Sequence, residues 1–527
     1  MSRQTEEQVA REVKLQRFLD AGIDPFPAKF DRTHTLARVA VDFDELAEKK
    51  TIVATAGRLR ALRGHGGLVF ATLEDGSGKF QIAMHRDVIG EQDFDFWTGS
   101  LDIGDFIGIE GNVFLTKRGE KTLDVKKLVL LAKALLPLPE KWHGLTDTEV
   151  RYRKRYLDLI SNEEVRDIFK KRSLIVKTIR QFLDDAGFIE VETPILQPFA
   201  GGAAAKPFVT HHNALNFDMY LRIAPELYLK RLVVGGFERV YEIARCFRNE
   251  GIDHAHNPEF TQVEFYWAYA DYYELMQVTE RLIVAILEKI NDGSTLIEHE
   301  GMTLDFTAPF ARVSFKDIVK EKTGIDIDVT NNEEKLLVAI KEKKLRVDVA
   351  NAYGFGEIVD ALYKEYCRHT IIQPTFLTDY PAEMIPLAKR RKDDPTKIAS
   401  FQLVAKGVEL CKAYNELNDP IDQATRFKEQ DKLRAKGAEE AQGTDDDFIE
   451  ALSYGMPPTA GFGMGIDRLT MFLTGVHSIK ETILFPTLKP EGGISTLPVA
   501  NGASQPANGK EKKDGDKATK IDKKKKK

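Results

Sequence analysis

From Ile52 onward apolar and polar residues alternate, and a period of two places successive side chains on opposite faces of a strand. The pattern predicts strands over Ile52–Arg60, Leu68–Leu73 and Phe80–Met84, with Gly64–Gly67 and Asp75–Gly78 as the intervening turns. Phe106–Thr116 and Thr122–Leu131 follow as a hairpin around Lys117-Arg118-Gly119-Glu120. Five short strands this close together suggest a small closed barrel such as an OB-fold, with a jelly-roll fragment or an SH3-like barrel as alternatives. Leu135-Leu136-Pro137-Leu138-Pro139 ends it, because consecutive prolines cannot continue a ladder. Residues 1–50 carry short helical patterns around Asp24-Pro25-Phe26-Pro27 and read as an N-terminal extension. The barrel is expected over 51–135 and a linker over 136–160.

Beyond the linker the period changes to that of a helix. Ser161-Asn162-Glu163-Glu164 has the spacing of a capping box. Apolar residues then recur at Val165, Ile168, Phe169, Ile175, Val176, Ile179, Phe182 and Leu183, one face of an amphipathic helix. Gly187 suits its C-terminal cap, and Phe188–Thr193 reads as a strand stopped by Pro194. A second domain is expected over 161–490, interrupted at about 315–370 by a charged helical insertion. Residues 491–527 are Gly, Ser, Pro and Asn followed by Lys, too poor in apolar residues to build a core, and read as a disordered Lys-rich tail.

Charge sharpens this picture. The formal net charge is −6, yet residues 501–527 alone hold ten lysines against four acids, which leaves the body at about −12. That excludes a protein that coats nucleic acid indiscriminately; any RNA-binding surface must be local. Cys246, Cys367 and Cys411 lie far apart with no CxxC pair, which excludes a disulfide framework or zinc ribbon and suits a reducing compartment. The acidic, polar start does not resemble a targeting peptide, and no apolar run is long enough to span a bilayer, so the expected location is cytoplasmic.

Three distant segments make chemical sense together. They are the long helix with the strand ending at Pro194, then Cys246-Phe247-Arg248-Asn249-Glu250 with the strand Glu259–Tyr266, and Gly461-Phe462-Gly463-Met464-Gly465-Ile466-Asp467-Arg468 running into a helical pattern. Between them lie Gly201-Gly202-Ala203-Ala204-Ala205 and Leu221-Arg222-Ile223-Ala224-Pro225-Glu226-Leu227-Tyr228-Leu229-Lys230. In this order the motifs resemble the class II aminoacyl-tRNA synthetases, and the intervening text resembles lysyl-tRNA synthetases over residues 50–490. The resemblance implies an α+β protein: an N-terminal OB-fold that binds the anticodon, then a class II catalytic domain with an antiparallel sheet flanked by helices. It implies ATP-dependent formation of lysyl-adenylate, transfer to tRNA(Lys), Mg²⁺ arriving with ATP, and a homodimer formed about the helix 163–186.

Carboxylate attack on a phosphate needs little proton transfer, so arginines and metal are expected rather than a catalytic triad. Arg248 suits the bridge between the amino-acid carboxylate and the α-phosphate, since its planar fork matches both, and Arg468 suits the γ-phosphate end. Gly463 and Gly465 let backbone approach the nucleotide. The resemblance adds Glu250, His256, Asn257, Phe260 and Glu409 to the ATP pocket, with Phe260 stacking on adenine. It assigns Gly202 and Glu226 to the α-amino group. Glu264, Tyr266, Tyr414 and Glu416 are assigned to the side-chain pocket, with Glu416 the partner of the substrate's ε-ammonium. For each residue the plain alternative is ordinary packing or a surface ion pair. Two positions depart from the family: Gln402 stands where the first of two metal-binding glutamates is expected, Glu409 being the second, and Lys412 replaces an asparagine. Glutamine keeps an oxygen for Mg²⁺ but loses a charge. On the barrel, Arg58, Phe70, Gln81 and Glu120 match anticodon-binding positions, with Phe70 as a stacking platform. The nearest rival is an aspartyl or asparaginyl synthetase, for which Lys412 is the only foothold; a paralogue that has lost catalysis is the other.

Overall fold

The computed structural model describes residues 6–139, 145–350, 352–438 and 440–490. The expected Lys-rich tail lies outside the described residues. Contacts divide the chain into two compact units. The first takes in the described residues up to Ala186 together with Val278–Phe310 and Asp467–Phe485; the second holds Gly187–Gln277, Ala311–Ile466 and the described residues from Pro486.

In the first unit the alternating segments become β1 (Val53–His65), β2 (Leu68–Glu74), β3 (Lys79–His85), β4 (Phe106–Leu115) and β5 (Lys121–Ala132). They close in the order β1-β2-β3-β5-β4, with β3 and β5 parallel and the other pairs antiparallel. The five-stranded barrel is therefore present, with one change of extent. β1 does not turn at Gly64 but runs on to His65, leaving the turn to Gly66 and Gly67. A register shift between Leu59 and Ala61 bends this long strand, so its first half pairs with β4 and its second with β2. Val53, Leu59, Ala71, Leu73, Ile82, Ile107, Ile109, Leu123 and Val125 fill the barrel. The N-terminal extension covers it: Phe18, Leu36, Val39, Phe43 and Leu46, from three short helices, join the same core.

The long amphipathic helix spans Glu163–Asp185 and buries Val165, Ile175, Ile179 and Leu183. Its capping box is not made. Asn162, not Ser161, occupies the cap position, so Val165 rather than Glu164 stands three residues on; the Asn162 side chain makes no cap, and its amide donates to Asp158 (2.6 Å) and to the Leu145 carbonyl. Gly187, just past the end, takes φ +79°, the left-handed conformation expected of a C-terminal stop.

The second unit is built on an eight-stranded sheet. Its strands are β6 (Ile189–Glu190), β10 (Arg239–Phe247), β11 (Glu259–Ala268), β14 (Ala311–Ser314), β15 (Thr375–Thr378), β16 (Ser400–Ala405), β17 (Val408–Asn415) and β18 (Thr459–Gly465). The numbers between belong to a small sheet of β7 (Leu196–Gln197), β8 (Val209–His212) and β9 (Phe217–Leu221) in this unit, and a hairpin of β12 (Leu296–His299) and β13 (Met302–Asp305) in the first. The large sheet runs β14-β15-β16-β17-β18-β11-β10-β6 and is antiparallel except at its two ends. The strand expected over 188–193 keeps only two residues, since β6 pairs with β10 at Ile189 and Glu190 alone. The expected insertion forms helices Phe315–Thr323, Glu333–Glu342 and Gly354–Tyr366, packed in one core with Leu377 and Val404 of the sheet and with Tyr380, just past β15.

Under the barrel lies a buried charge. The Lys133 ammonium is fully buried and pairs with Asp105, equally buried, at 2.9 Å and with Asp102 at 2.6 Å. Removing one member of a buried pair strands the other in low dielectric. Lys133→Met is expected to cost about 3–5 kcal/mol in denaturant titration of the protein; a loss below about 1 kcal/mol would show the aspartates to be solvated.

Candidate active site

The sheet register assembles the site from residues far apart in sequence. Gln402, Lys412, Gly463, Glu264 and Glu242 are cross-strand neighbours in one row over β16, β17, β18, β11 and β10. The adjacent row is Ser400, Tyr414, Gly461, Tyr266 and Val240. Because the strand period is two, Gly461, Gly463 and Gly465 share this face, while Phe462 and Met464 are buried on the other, where Phe462 stacks on Phe265 with centroids 4.6 Å apart. The alternating glycines thus leave a floor of bare backbone. They are not equivalent. A Cβ on Gly461 would lie 2.0 Å from Glu416 Oε1 and 2.6 Å from the Tyr266 ring, whereas at Gly463 the nearest atom is Glu264 Cγ at 3.8 Å.

Three carboxylates gather at one end of this floor. Glu226 opens the helix Glu226–Val234, Glu264 lies on β11, and Glu416 follows β17; all three are buried. Tyr414 Oη donates to Glu226 Oε1 at 2.7 Å, and Tyr266 Oη donates to Glu264 Oε2 at 3.2 Å. Gln262 Nε2 donates to Glu264 Oε1 at 2.7 Å. Burial pushes the Glu264 carboxyl up to about 8, helped by the field of Glu226 and opposed by Tyr266 and Arg248. Burial raises Glu416 as well, and Lys230 pulls it back. Gly202 takes φ +89°, and a Cβ there would stand 3.2 Å from the Glu226 Cβ, so the Gly-Gly segment lies against the start of that helix.

Arg248 follows β10. Its backbone N–H donates to the Pro258 carbonyl at 2.8 Å, its guanidinium lies 4.9 Å from the Phe260 ring centroid, and its Nε is buried with no hydrogen-bond partner among the described residues. Phe260 shares the face of Gln262, Glu264 and Tyr266, so arginine and ring stand together beside the carboxylates. Glu250 is half-buried in the loop that follows. His256 is exposed and 2.9 Å from Asp253, and Asn257 is committed locally, donating to the Glu259 carbonyl and accepting from the Thr487 N–H. Arg468 is half-buried in the helix Ile466–Thr474, which continues directly from β18.

At the other end of the row, Lys412 faces Gln402 and Gly463 and forms no ion pair among the described residues, with Glu409 and Glu416 included. A bulge at Leu410, before Lys412 in the strand, sets Glu409 opposite Val404, on the face of Gln402. Gln402 Oε1 accepts from Tyr380 Oη at 2.7 Å, and the Glu409 field helps raise the Tyr380 phenol after burial. No cluster of three acid, His or Cys groups fit to hold a metal exists among the described residues. Two oxygens, from Gln402 and Glu409, fit a Mg²⁺ that keeps waters and phosphate oxygens as its other ligands, and would not cage one unaided.

On the barrel, burial alternates along β2 so that Val69, Ala71 and Leu73 point inward and Phe70 shares the outer face with Leu68 and Thr72. Phe70 opposes Ala83, and Thr72 opposes Gln81, whose amide donates to Thr122 Oγ1 at 2.8 Å. Arg58 donates to the Gly104 carbonyl at 3.0 Å and covers the Phe106 ring at 4.2 Å, and Glu120 is exposed in its turn.

Comparison with known proteins fits this geometry. A family model described as tRNA synthetases class II (D, K and N) matches residues 147–489, and one for an OB-fold nucleic acid binding domain matches 53–131. A lysine–tRNA ligase of Carboxydothermus hydrogenoformans is 51% identical over 90% of this chain and 96% of its own length. Those of Clostridium acetobutylicum and Roseiflexus castenholzii are 51% and 50% identical, covering 91% and 92% of this chain and 93% and 98% of theirs. The chain belongs to the class II lysine–tRNA ligases. The OB-fold and class II expectations therefore stand, and the jelly-roll, SH3-like, aspartyl and asparaginyl alternatives fall away.

For a lysine–tRNA ligase, the notable addition is Lys230, which sequence reasoning passed over. It is fully buried, its ammonium lies 2.6 Å from Glu226 Oε1 and contacts Glu416 Oε2, and the Tyr414 and Phe448 rings flank it. Glu416, expected as the partner of the substrate's ε-ammonium, thus also meets one of the chain's own. Its Oε1 has no hydrogen-bond partner among the described residues, and it borders a cavity of about 270 Å³ lined also by Tyr269, Asp271, Lys389 and Asn415. Only the i,i+4 spacing of Glu226 and Lys230 hinted at this.

The floor yields a paired prediction. Gly461→Ala must displace Glu416 or Tyr266 and is expected to cost about 1–3 kcal/mol, whereas Gly463→Ala, making only an ordinary van der Waals contact with Glu264, should stay within about 0.5 kcal/mol. Denaturant melts of the two variants side by side check it; equal losses would contradict the packing.

Proposed function

We infer that the chain joins L-lysine to tRNA(Lys) in two steps, and the observation that carries this reading is the buried trio Glu226, Glu264 and Glu416 beside Arg248 on a glycine floor. A diamino acid brings two ammonium groups, and a site removed from water must answer each with a carboxylate. Glu226 and the Gly202 backbone take the α-amino group. Glu416, with Glu264 and Tyr266, takes the ε-ammonium, and Tyr414 lines the aliphatic stem.

In the first step a lysine carboxylate oxygen attacks the α-phosphorus of ATP, and the bond to the β-phosphate bridging oxygen breaks, releasing pyrophosphate and leaving lysyl-adenylate. Arg248 holds the attacking carboxylate and the α-phosphate, where charge accumulates. Phe260 offers its free face to adenine, Gly463 and Gly465 let the nucleotide lie on backbone, and Glu250, His256 and Asn257 border it. Arg468 serves the γ-phosphate. Gln402 and Glu409 would hold the Mg²⁺ that arrives with ATP, and the ion would neutralise phosphate charge there. In the second step the 3′-terminal ribose hydroxyl of tRNA attacks the lysyl carbonyl and AMP departs. The barrel binds the anticodon, with Phe70 as stacking platform and Arg58, Gln81 and Glu120 around it. We place the reaction in the cytoplasm, consistent with three buried free cysteines and with no described helix long and apolar enough to cross a membrane. A C2 homodimer about the helix Glu163–Asp185 completes the reading.

ATP–pyrophosphate exchange tests it: exchange is expected with lysine and absent with aspartate, and the reverse would refute the reading. Glu416→Gln keeps the shape and removes the charge, so the KM for lysine should rise at least roughly tenfold with the KM for ATP little changed. Phe70→Ala should raise the KM for tRNA by roughly 5- to 100-fold, the worth of one stacked base, and leave pyrophosphate exchange intact. An unaltered tRNA dependence would remove Phe70 from the RNA surface.

A further inference from the structure

Lys230 is not among the residues that the proposed reaction uses, yet no side chain of the site is more enclosed. It is fully buried one helical turn after Glu226 and bridges Glu226 to Glu416. Around this bridge stand Glu264, Gln262 and Tyr266 from β11 and Tyr414 from β17. Glu242 of β10 is separately neutralised by Arg222 at 2.6 Å, and Arg248 faces Glu264 from the end of the same strand. On the cavity side, Asp271, Glu274 and Lys389 border Glu416. The cluster proper therefore holds three buried carboxylates and one fixed ammonium.

We propose that Lys230 is a specificity-determining residue: a resident ammonium that matches one of the three carboxylates and leaves two for the two ammonium groups of one lysine. This rests on the lysine-activating reading above. With lysine bound, three positive charges meet three negative ones, and the substrate carboxylate goes to Arg248. An uncharged side chain of the same length leaves one carboxylate unmatched and is rejected by the cost of that buried charge. Without substrate, two carboxylates lack a cation and can stay buried only by taking up protons. The upward displacement of Glu264 and Glu416 by burial agrees. Burial alone would also discharge Lys230, but Glu226 and Glu416 outweigh it and hold its ammonium above the ordinary value. Entry of lysine therefore expels protons. A carboxyl with a raised pKa is ionised only as pH climbs past that value, so lysine binding should strengthen with pH in the neutral range.

Two measurements test this. Calorimetric titration of the wild-type protein with lysine, near neutral pH in two buffers of different ionisation enthalpy, should show release of about one proton or more per lysine. Lys230→Met should raise the KM for lysine in ATP–pyrophosphate exchange at least roughly tenfold, with kcat within about threefold and the KM for ATP unchanged. Its discrimination of lysine over norleucine should fall by a similar factor. The added KM should shrink as pH rises from about 6.5 to about 8.5, because the carboxylates then ionise without the ammonium's help. Should Lys230→Met fail to fold, Lys230→Met with Glu226→Gln, which removes both members of one pair, is expected to fold and still release protons on binding lysine. No proton release by the wild type overturns the proposal. So does an unchanged lysine KM in the variant, or a raised one indifferent to pH, which would mark mere packing. A wild-type protein without lysine-dependent exchange sinks the underlying reading instead.

Discussion

Burying like charges close together is the constraint on which the second unit turns. Glu226, Glu264 and Glu416 would repel one another in a site removed from water, and they are tolerable there only through donors at hydrogen-bond distance together with uptake of protons. Those donors come from three different stretches of chain: Tyr414 to Glu226, Tyr266 and Gln262 to Glu264, and Lys230 to both Glu226 and Glu416. Their placement requires β17, β18 and β11 to be adjacent in register, which explains why the middle strand is a glycine ladder. A side chain at Gly461 would fill the space in which Glu416 and Tyr266 meet.

Part of this was legible in the sequence. Alternation announced the barrel strands because each has one wet and one dry face, and the glycine spacing in Gly461-Phe462-Gly463-Met464-Gly465 announced a strand bare on one side. The resemblance named the three carboxylates. Lys230 escaped because a lysine four residues after a glutamate on an amphipathic helix reads as an exposed pair. Its burial is decided by Glu416, which approaches only when β17 joins the sheet. The helix start escaped for a similar reason: it falls at Glu163, so Asn162 rather than Ser161 holds the cap position, with its amide turned to Asp158 and Leu145. Neither outcome is visible to local pattern.

The two positions at which the sequence departs from the pattern expected of the family fall side by side. Gln402 and Lys412 are direct cross-strand partners, so the loss of one negative charge and the gain of one positive charge occur at a single place. Separately, either would disturb an anion-rich neighbourhood. Together they shift that end of the floor toward positive charge, leaving Glu409 as its carboxylate, with Tyr380 fixing the Gln402 oxygen.

The row across the sheet therefore carries a gradient of charge. Lys412 stands at one end, bare glycine backbone lies between, and the carboxylates begin at Glu264. A reaction that joins a polyanion to a dication has opposite needs at its two ends, and a floor with its own polarity orients both reactants before any bond forms. The same gradient explains why a lysine at position 412 need not repel a lysine substrate. It is separated from Glu416 along the strand by Tyr414, forms no ion pair with Glu409 or Glu416, and stands between Gln402 and Gly463 in the row. An ammonium at Lys230, by contrast, sits among the acids themselves, where it sets how many further positive charges that end will accept.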